Sequence, residues 1–267
     1  MAATTDSFTD DGVTLIEHIP FTTAKVIGSR ARIGLVVLAA DYTIEHEFRT
    51  LVDIPGVDVF MARIRNAPQV TPETLAAMEP LLTETADRIL PGDDLDVLAF
   101  GCTSASTILG GARIAALLGE AKPMARPSDP ISAAFAAFDA LGARRIGVLT
   151  PYRRDVNEIV WRYITGHGYE VPVFGSFNEE MDPVVATIDE DSLVQAIDRI
   201  QEGQELDAVF VSCTSLRLAD AVAGIERRTG LPVTSSNHAL AWHCLRLAGI
   251  ADSIDGRGKL FTHGLAG

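Results

Sequence analysis

Two ten-residue segments limit what this chain can fold into. Residues 95–104 read LDVLAFGCTS and residues 206–215 read LDAVFVSCTS, agreeing at Leu, Asp, Cys, Thr and Ser across an offset of 111 residues. Upstream, Arg32-Ile33-Gly34 is echoed by Arg145-Ile146-Gly147 at an offset of 113. Two matches at nearly one offset imply a duplicated supersecondary unit.

Each half alternates apolar runs with helical segments. IGLVVLA (33–39) is a continuous apolar run suited to a buried parallel strand, and VDVFMARI (57–64) and LDVLAF (95–100) supply two more. Thr71-Pro72-Glu73 opens a helix towards Leu90: Thr71 suits the N-cap, Pro72 the first turn and Glu73 the positive end of the dipole. Another helix starts around Ser104. The second half repeats the scheme with strands in IGVLTP, YEVPVFGSF, LDAVFVS and LPVTSS and a helix near 189–202. Strands joined by such helices give parallel sheets. The expected fold is α/β: two similar doubly wound parallel-sheet domains related by pseudo-two-fold symmetry, with about four or five strands each. Residues 1–29 read as an N-terminal extension, 30–125 plus 237–267 as the first domain, and 126–236 as the second.

Composition narrows the function. A hydrophobic fraction of 47% supports a sizeable core, and a formal charge of −14 argues against nucleic acid, which needs a positive surface. A few local donors can still hold an anionic substrate. No apolar run reaches the length of a membrane span. The start, MAATTDSFTDDGVTLIEHIP, is polar and acidic, without the basic and apolar regions of a leader, so the expected address is the cytoplasm. Cys102, Cys213 and Cys244 form neither a CxxC pair nor a zinc-ligand spacing. Gly110-Gly111 belongs to no phosphate-binding pattern. No metal or cofactor is expected; a small carboxylate substrate and a homo-oligomer are.

Cys102 and Cys213 occupy equivalent places in the repeat, each after a strand and before an expected helix, where open α/β sheets bind ligands. A helix N-terminus lowers a thiol's pKa and favours thiolate. A single free Cys is more often a small buried hydrophobe; two at equivalent positions, each flanked by Thr-Ser, point to function. Facing one another across a cleft, they could act on opposite faces of a trigonal carbon as acid and base, or one could add covalently to an electron-poor alkene.

With GCTSAS (101–106), LTPYRRDVNEIVWRYITGHGYEV (149–171), SCTSLR (212–217) and SSNHALAWHCLRLAG (235–249), the chain resembles the aspartate/glutamate racemase superfamily. The resembling branch holds maleate cis-trans isomerase, arylmalonate decarboxylase and the A-type ectoine-utilisation protein. The resemblance implies that Cys102 is a nucleophile, that Cys213 is the proton donor or opposing acid/base, and that Tyr152 contacts the substrate carboxylate. Keeping Cys102 makes the chain less like the decarboxylase, which has only the second cysteine. Asp41 and Asp182 fall where maleate isomerases carry Asn. An ionised Asp cannot donate to a carboxylate, so a protonated Asp or a substrate with an ammonium or amidine-like group suits these positions. LAADYTIEHEF, which includes Tyr42, looks more like the ectoine-utilisation proteins, making ectoine-derived compounds a candidate substrate class.

Thr103, Ser104, Thr214 and Ser215 are candidate substrate contacts, and Ser104 and Ser215 also read as helix caps. Ser236 and Asn237 could cap the final helix (237–248) or touch a carboxylate. His46 reads as surface, His167 as a loop residue, and His238 and His243 as ordinary packing or exposure. Cys244 reads as structural, and Arg153-Arg154 as a solvated pair. Two other functions compete: a decarboxylase or lyase whose thiol protonates an enolate-like intermediate, and a non-catalytic metabolite-binding protein.

Overall fold

The structure is a computed structural model that describes residues 16–266. Residues 1–15, which hold most of the stretch read as lacking a leader, lie outside the described residues; residues 16–26 are exposed and form neither helix nor strand.

Eight strands form two four-stranded sheets, parallel throughout. The first contains β1 (Ala31–Leu38), β2 (Val57–Ile64), β3 (Val97–Gly101) and β4 (Arg126–Ser128) in the order β2-β1-β3-β4. The second contains β5 (Arg145–Thr150), β6 (Glu170–Ser176), β7 (Ala208–Val211) and β8 (Val233–Ser235) in the order β6-β5-β7-β8. The orders correspond position for position, as a duplication requires.

The repeated Leu-Asp pairs act within each sheet in the same way. Asp96 accepts the Arg32 N–H at 2.8 Å, and Asp207 accepts those of Arg144 and Arg145 at 2.8 Å, tying the start of each central strand to its neighbour. Leu95 and Leu206 cover the glycines of the two Arg-Ile-Gly triplets. A Cβ on Gly34 would lie 2.6 Å from Leu95 Cδ1, and one on Gly147 would lie 2.8 Å from Leu206 Cδ1. A Cβ at either position would force the covering side chains to shift.

Two helices link the halves. Pro130–Leu141 gives Ile131, Ala134 and Phe138 to the second core but Ala133 and Ala137 to the first. Ser236–Leu247 packs along it and buries Leu240, Trp242 and Leu245 in the first core. Among the described residues no helix is long and apolar enough to cross a membrane.

Three local features depart from the sequence reading. β4 pairs with β3, so residues 126–128, assigned to the second domain, belong to the first sheet. The helix expected from Thr71 to Leu90 is two, Pro72–Ala76 and Glu79–Asp87. Pro80 lacks an N–H and clashes with the carbonyl four residues back, which prevents a continuous helix; Thr71 does cap the first piece. Gly110, at φ +86°, separates helix Thr103–Leu109 from helix Gly111–Ala121.

Candidate active site

The carboxyl ends of the strands converge on one place. Asp41 follows β1, Cys102 follows β3, Tyr152 follows β5, Asp182 lies beyond β6 and Cys213 follows β7. Cys102, Cys213, Tyr152, Thr103, Ser104, Thr214 and Asp182 line a common cavity. Its volume is about 20 Å³, room for a single water. Asn66, Gln69, Val70, Leu75 and Met78 cover it. This cover is fastened to the second half: the Val70 N–H donates to Glu180 O and the Asp182 N–H to Pro68 O, each at 3.1 Å, flanking an antiparallel bridge between Gln69 and Met181.

The two Cys-Thr-Ser turns are built differently. Cys102 is the extended N-cap residue of helix Thr103–Leu109, with its sulfur 3.7 Å from Ser104 Oγ. Cys213 opens an irregular turn, and the next helix begins only at Val222. The helix expected directly after Cys213 is therefore absent. Neither Ser104 nor Ser215 caps a helix. Ser104 points at the Cys102 sulfur, and Ser215 donates to Asp182 Oδ1 at 2.7 Å. The final helix is capped by Ser235, whose hydroxyl accepts the His238 N–H. Ser236 accepts from Thr103 Oγ1 at 2.7 Å across the two halves.

Burial dominates the electrostatics. It pushes the Cys102 thiol up to about 12 and raises Cys213 further, with the Asp182 and Asp41 charges adding to both shifts. This direction is opposite to the thiolate expected at a helix N-terminus: desolvation outweighs the few N–H groups that face the sulfurs. Tyr152 is buried beside both thiols and its phenol is raised well above its ordinary value. Burial lifts Asp41 to about 6, against N–H bonds from Thr43 and Ile44 at 2.7 and 2.8 Å to its Oδ1. Asp182 is also raised by burial, and Ser215 moderates the shift.

Asp41, Ser215, Tyr42 and Asn237 are not among the residues that line the cavity. Tyr42 is 71% exposed. Asn237 is buried, its amide donating to Glu47 Oε2 and Thr214 O at 2.7 Å each. His46 is exposed and His167 caps a helix end by bonding Tyr163 O. His238 is buried between Thr234 and the Arg257 carbonyl, His243 bonds Ser128, and burial lowers both to about 4. Cys244 is buried in the first core, and Arg153 is an exposed partner of Glu180.

Sequence reasoning missed Glu47 and the cover. Glu47 shares the buried face of helix Ile44–Leu51 with Ile44, Phe48 and Leu51. A carboxylate at the i+3 position of an otherwise apolar i, i+3, i+4, i+7 stripe was the available signal. The cover carries no comparable pattern.

Similarity to known proteins follows the same geometry. The arylmalonate decarboxylase family matches residues 33–261, spanning both sheets and both cysteines. The chain belongs to this family. Within it, the chain is 31% identical to arylmalonate decarboxylase of Bordetella bronchiseptica over 238 residues, covering 87% of this chain and 97% of the relative. It is 28% identical to maleate isomerase of Nocardia farcinica over 244 residues, covering 86% and 94%. A solved structure of the Nocardia farcinica maleate cis-trans isomerase bound to TRIS superposes with a TM-score of 0.78 at 26% identity, covering 87% and 98%. The fold is the aspartate/glutamate racemase-like one that the resemblance implied, with the two similar parallel sheets expected from the repeat, and these relatives make the protein an enzyme of the isomerase or decarboxylase type.

Proposed function

We propose that this protein is a cofactor-independent isomerase or racemase acting on a small carboxylate through Cys102 and Cys213. The observation that carries the reading is the meeting of the two repeat-related thiols, one from each sheet, in a cavity they share with Tyr152. In one route, a thiolate removes the proton from a carbon next to a carboxylate, and the opposite thiol protonates the resulting enediolate on its other face. The carbon's original proton ends on the first cysteine, the second cysteine's proton takes its place from the opposite face, and the centre is inverted. In the second route, the Cys102 thiolate adds to an electron-poor alkene, forming a C–S bond and moving the π electrons onto the carboxylate. Rotation about the new single bond and loss of the thiolate give the other alkene isomer.

Either route needs one thiolate. Burial disfavours the thiolate at both cysteines, and the Asp182 and Asp41 charges disfavour it further. Turnover therefore requires a bound group that favours the charged form of one thiol. Cys213 belongs opposite Cys102, with Tyr152 donating towards Cys213. Thr103, Ser104 and Thr214 are the polar walls nearest a substrate carboxylate. Through the resemblance of LAADYTIEHEF to the ectoine-utilisation proteins, ectoine-derived compounds are the first substrates to try.

The test is turnover of such compounds and of small dicarboxylates in deuterated water, by wild type, Cys102→Ser and Cys213→Ser. Each substitution should cost at least about a thousandfold in rate with the fold intact. Full activity in either variant would end the two-cysteine reading. Deuterium at the carbon centre marks the proton route, and isomerisation without exchange marks the covalent one. Family membership favours one further reading, decarboxylation, which release of carbon dioxide would establish.

A further inference from the structure

The charges around the cavity are one-sided. Its lining includes no Lys, Arg or His among the described residues; the ionisable walls are the two thiols, the Tyr152 phenol and Asp182. Asp41 does not itself line the cavity; it is buried beside the lining residue Thr214, close enough for its charge to reach both thiols and Asp182.

Asp41 is only half explained by the fold. Its Oδ1 accepts the Thr43 and Ile44 N–H groups and so opens helix Ile44–Leu51, a task that Asn or Ser would perform equally. Its Oδ2 has no hydrogen-bond partner, although the residue is only 2% exposed. A buried charged oxygen without a partner is destabilising, and native proteins keep one where a function requires it. The nearby Arg63 does not neutralise it. That guanidinium bonds the backbone carbonyls of Ala39 and Asp41 from outside and pairs with Glu45 at 2.9 Å. Asp182 is 4% exposed and has only the Ser215 hydroxyl on its Oδ1.

We propose that the cavity selects a ligand bearing a positive group, an ammonium or amidinium, received by Asp41 and Asp182 beside the two thiols. A dianion would meet Asp182 with the Asp41 charge close behind and no counter-charge, whereas a cation offsets the repulsion between the acids and draws on the open Asp41 oxygen. The same charge favours thiolate at either cysteine. The inference rests on reading this cavity as the substrate site, but not on which reaction takes place there.

Thiol labelling with reagents of opposite charge tests it without a known substrate. 2-Aminoethyl methanethiosulfonate is a small cation, and 2-sulfonatoethyl methanethiosulfonate is its anionic counterpart. Each forms a mixed disulfide with the thiolate and releases methanesulfinate. Rates at Cys102 and Cys213 are followed by mass spectrometry in wild type, Asp41→Asn and Asp41→Asn/Asp182→Asn. The cation-to-anion rate ratio in wild type should exceed that of free cysteine by at least about tenfold and fall at least about fivefold in the double variant. A wild-type ratio at or below that of free cysteine overturns the proposal, as does the absence of cation labelling, and neither result depends on the variants folding. An unchanged ratio in a folded double variant overturns it as well. Failure of the two-cysteine reaction would appear instead as retained turnover in Cys102→Ser or Cys213→Ser, with the labelling ratio unaffected.

Discussion

Asn237 donates one amide hydrogen to Glu47 Oε2 and the other to Thr214 O, both at 2.7 Å, linking a buried acid of the first half to the turn that carries Cys213. The other Glu47 oxygen accepts the N–H groups of Leu218 and Ala219, also at 2.7 Å. One carboxyl therefore holds both ends of the 214–219 loop against helix Ile44–Leu51.

Glu47 should make stability depend on pH. Burial raises it from 4.5 to about 7. An acid whose folded pKa exceeds its unfolded value binds more protons when folded, so its contribution is fully present below about 4.5 and is lost as pH rises through about 7. The loss amounts to about 3 kcal/mol. Glu47→Gln should remove that slope. It should also cost about 1–3 kcal/mol, because an amide cannot accept on both of its ends. Urea denaturation between pH 5 and 8 measures both effects; an unaltered pH dependence in the variant would show that Glu47 is not its source.

Tyr152→Phe keeps the ring in the second core but removes the hydroxyl beside the thiols. That hydroxyl lowers the Cys213 thiol against the rise imposed by burial. Alkylation of Cys213 in the variant should accordingly move to higher pH, and turnover should fall by about 10²-fold or more. Iodoacetamide kinetics across pH, read by mass spectrometry, check the first expectation even before a substrate is known.

The C-terminal segment depends on Arg246. Its guanidinium donates to the carbonyls of His263, Ile250 and Phe261 at 2.6–2.8 Å, while the Trp242 indole also reaches His263 O. Lys cannot reproduce that fork. Arg246→Lys should cost about 2–3 kcal/mol, because two or more buried carbonyls lose their donors. Chemical denaturation gives the magnitude, and limited proteolysis should cut near residues 250–263 sooner than in wild type.

Gly34→Ala should destabilise by about 1–3 kcal/mol through overpacking beneath Leu95 and Leu98, and Gly147→Ala should do the same beneath Leu206 and Ile200. Similar losses in equilibrium denaturation would establish that the two triplets serve one structural purpose. A neutral result at either glycine would mean that its covering side chains move aside freely.

The repeat made the duplicated sheets legible because β1, β3, β5 and β7 are short buried runs and the Leu-Asp pairs tie them in the same way. β4 escaped notice because a three-residue edge strand, Arg126-Pro127-Ser128, leaves almost no apolar pattern. The thiols and Tyr152 could be found from position and resemblance. Their protonation could not, since it depends on enclosure by residues 66–78, which are distant in sequence from either cysteine. Asn237 was visible as a polar residue near the site, but its commitment to Glu47 and Thr214 arises only where the chain returns to the first half.

Asp41 and Tyr152 are separated by the same 111 residues as the two cysteines, and each follows the central strand of its sheet. Two identical halves would accept a ligand in two equivalent orientations, with no distinction between its ends. An acid on one side and a phenol on the other remove that degeneracy. The single chain has thus become a handed vessel, in which left and right thiols can be assigned different steps of one reaction.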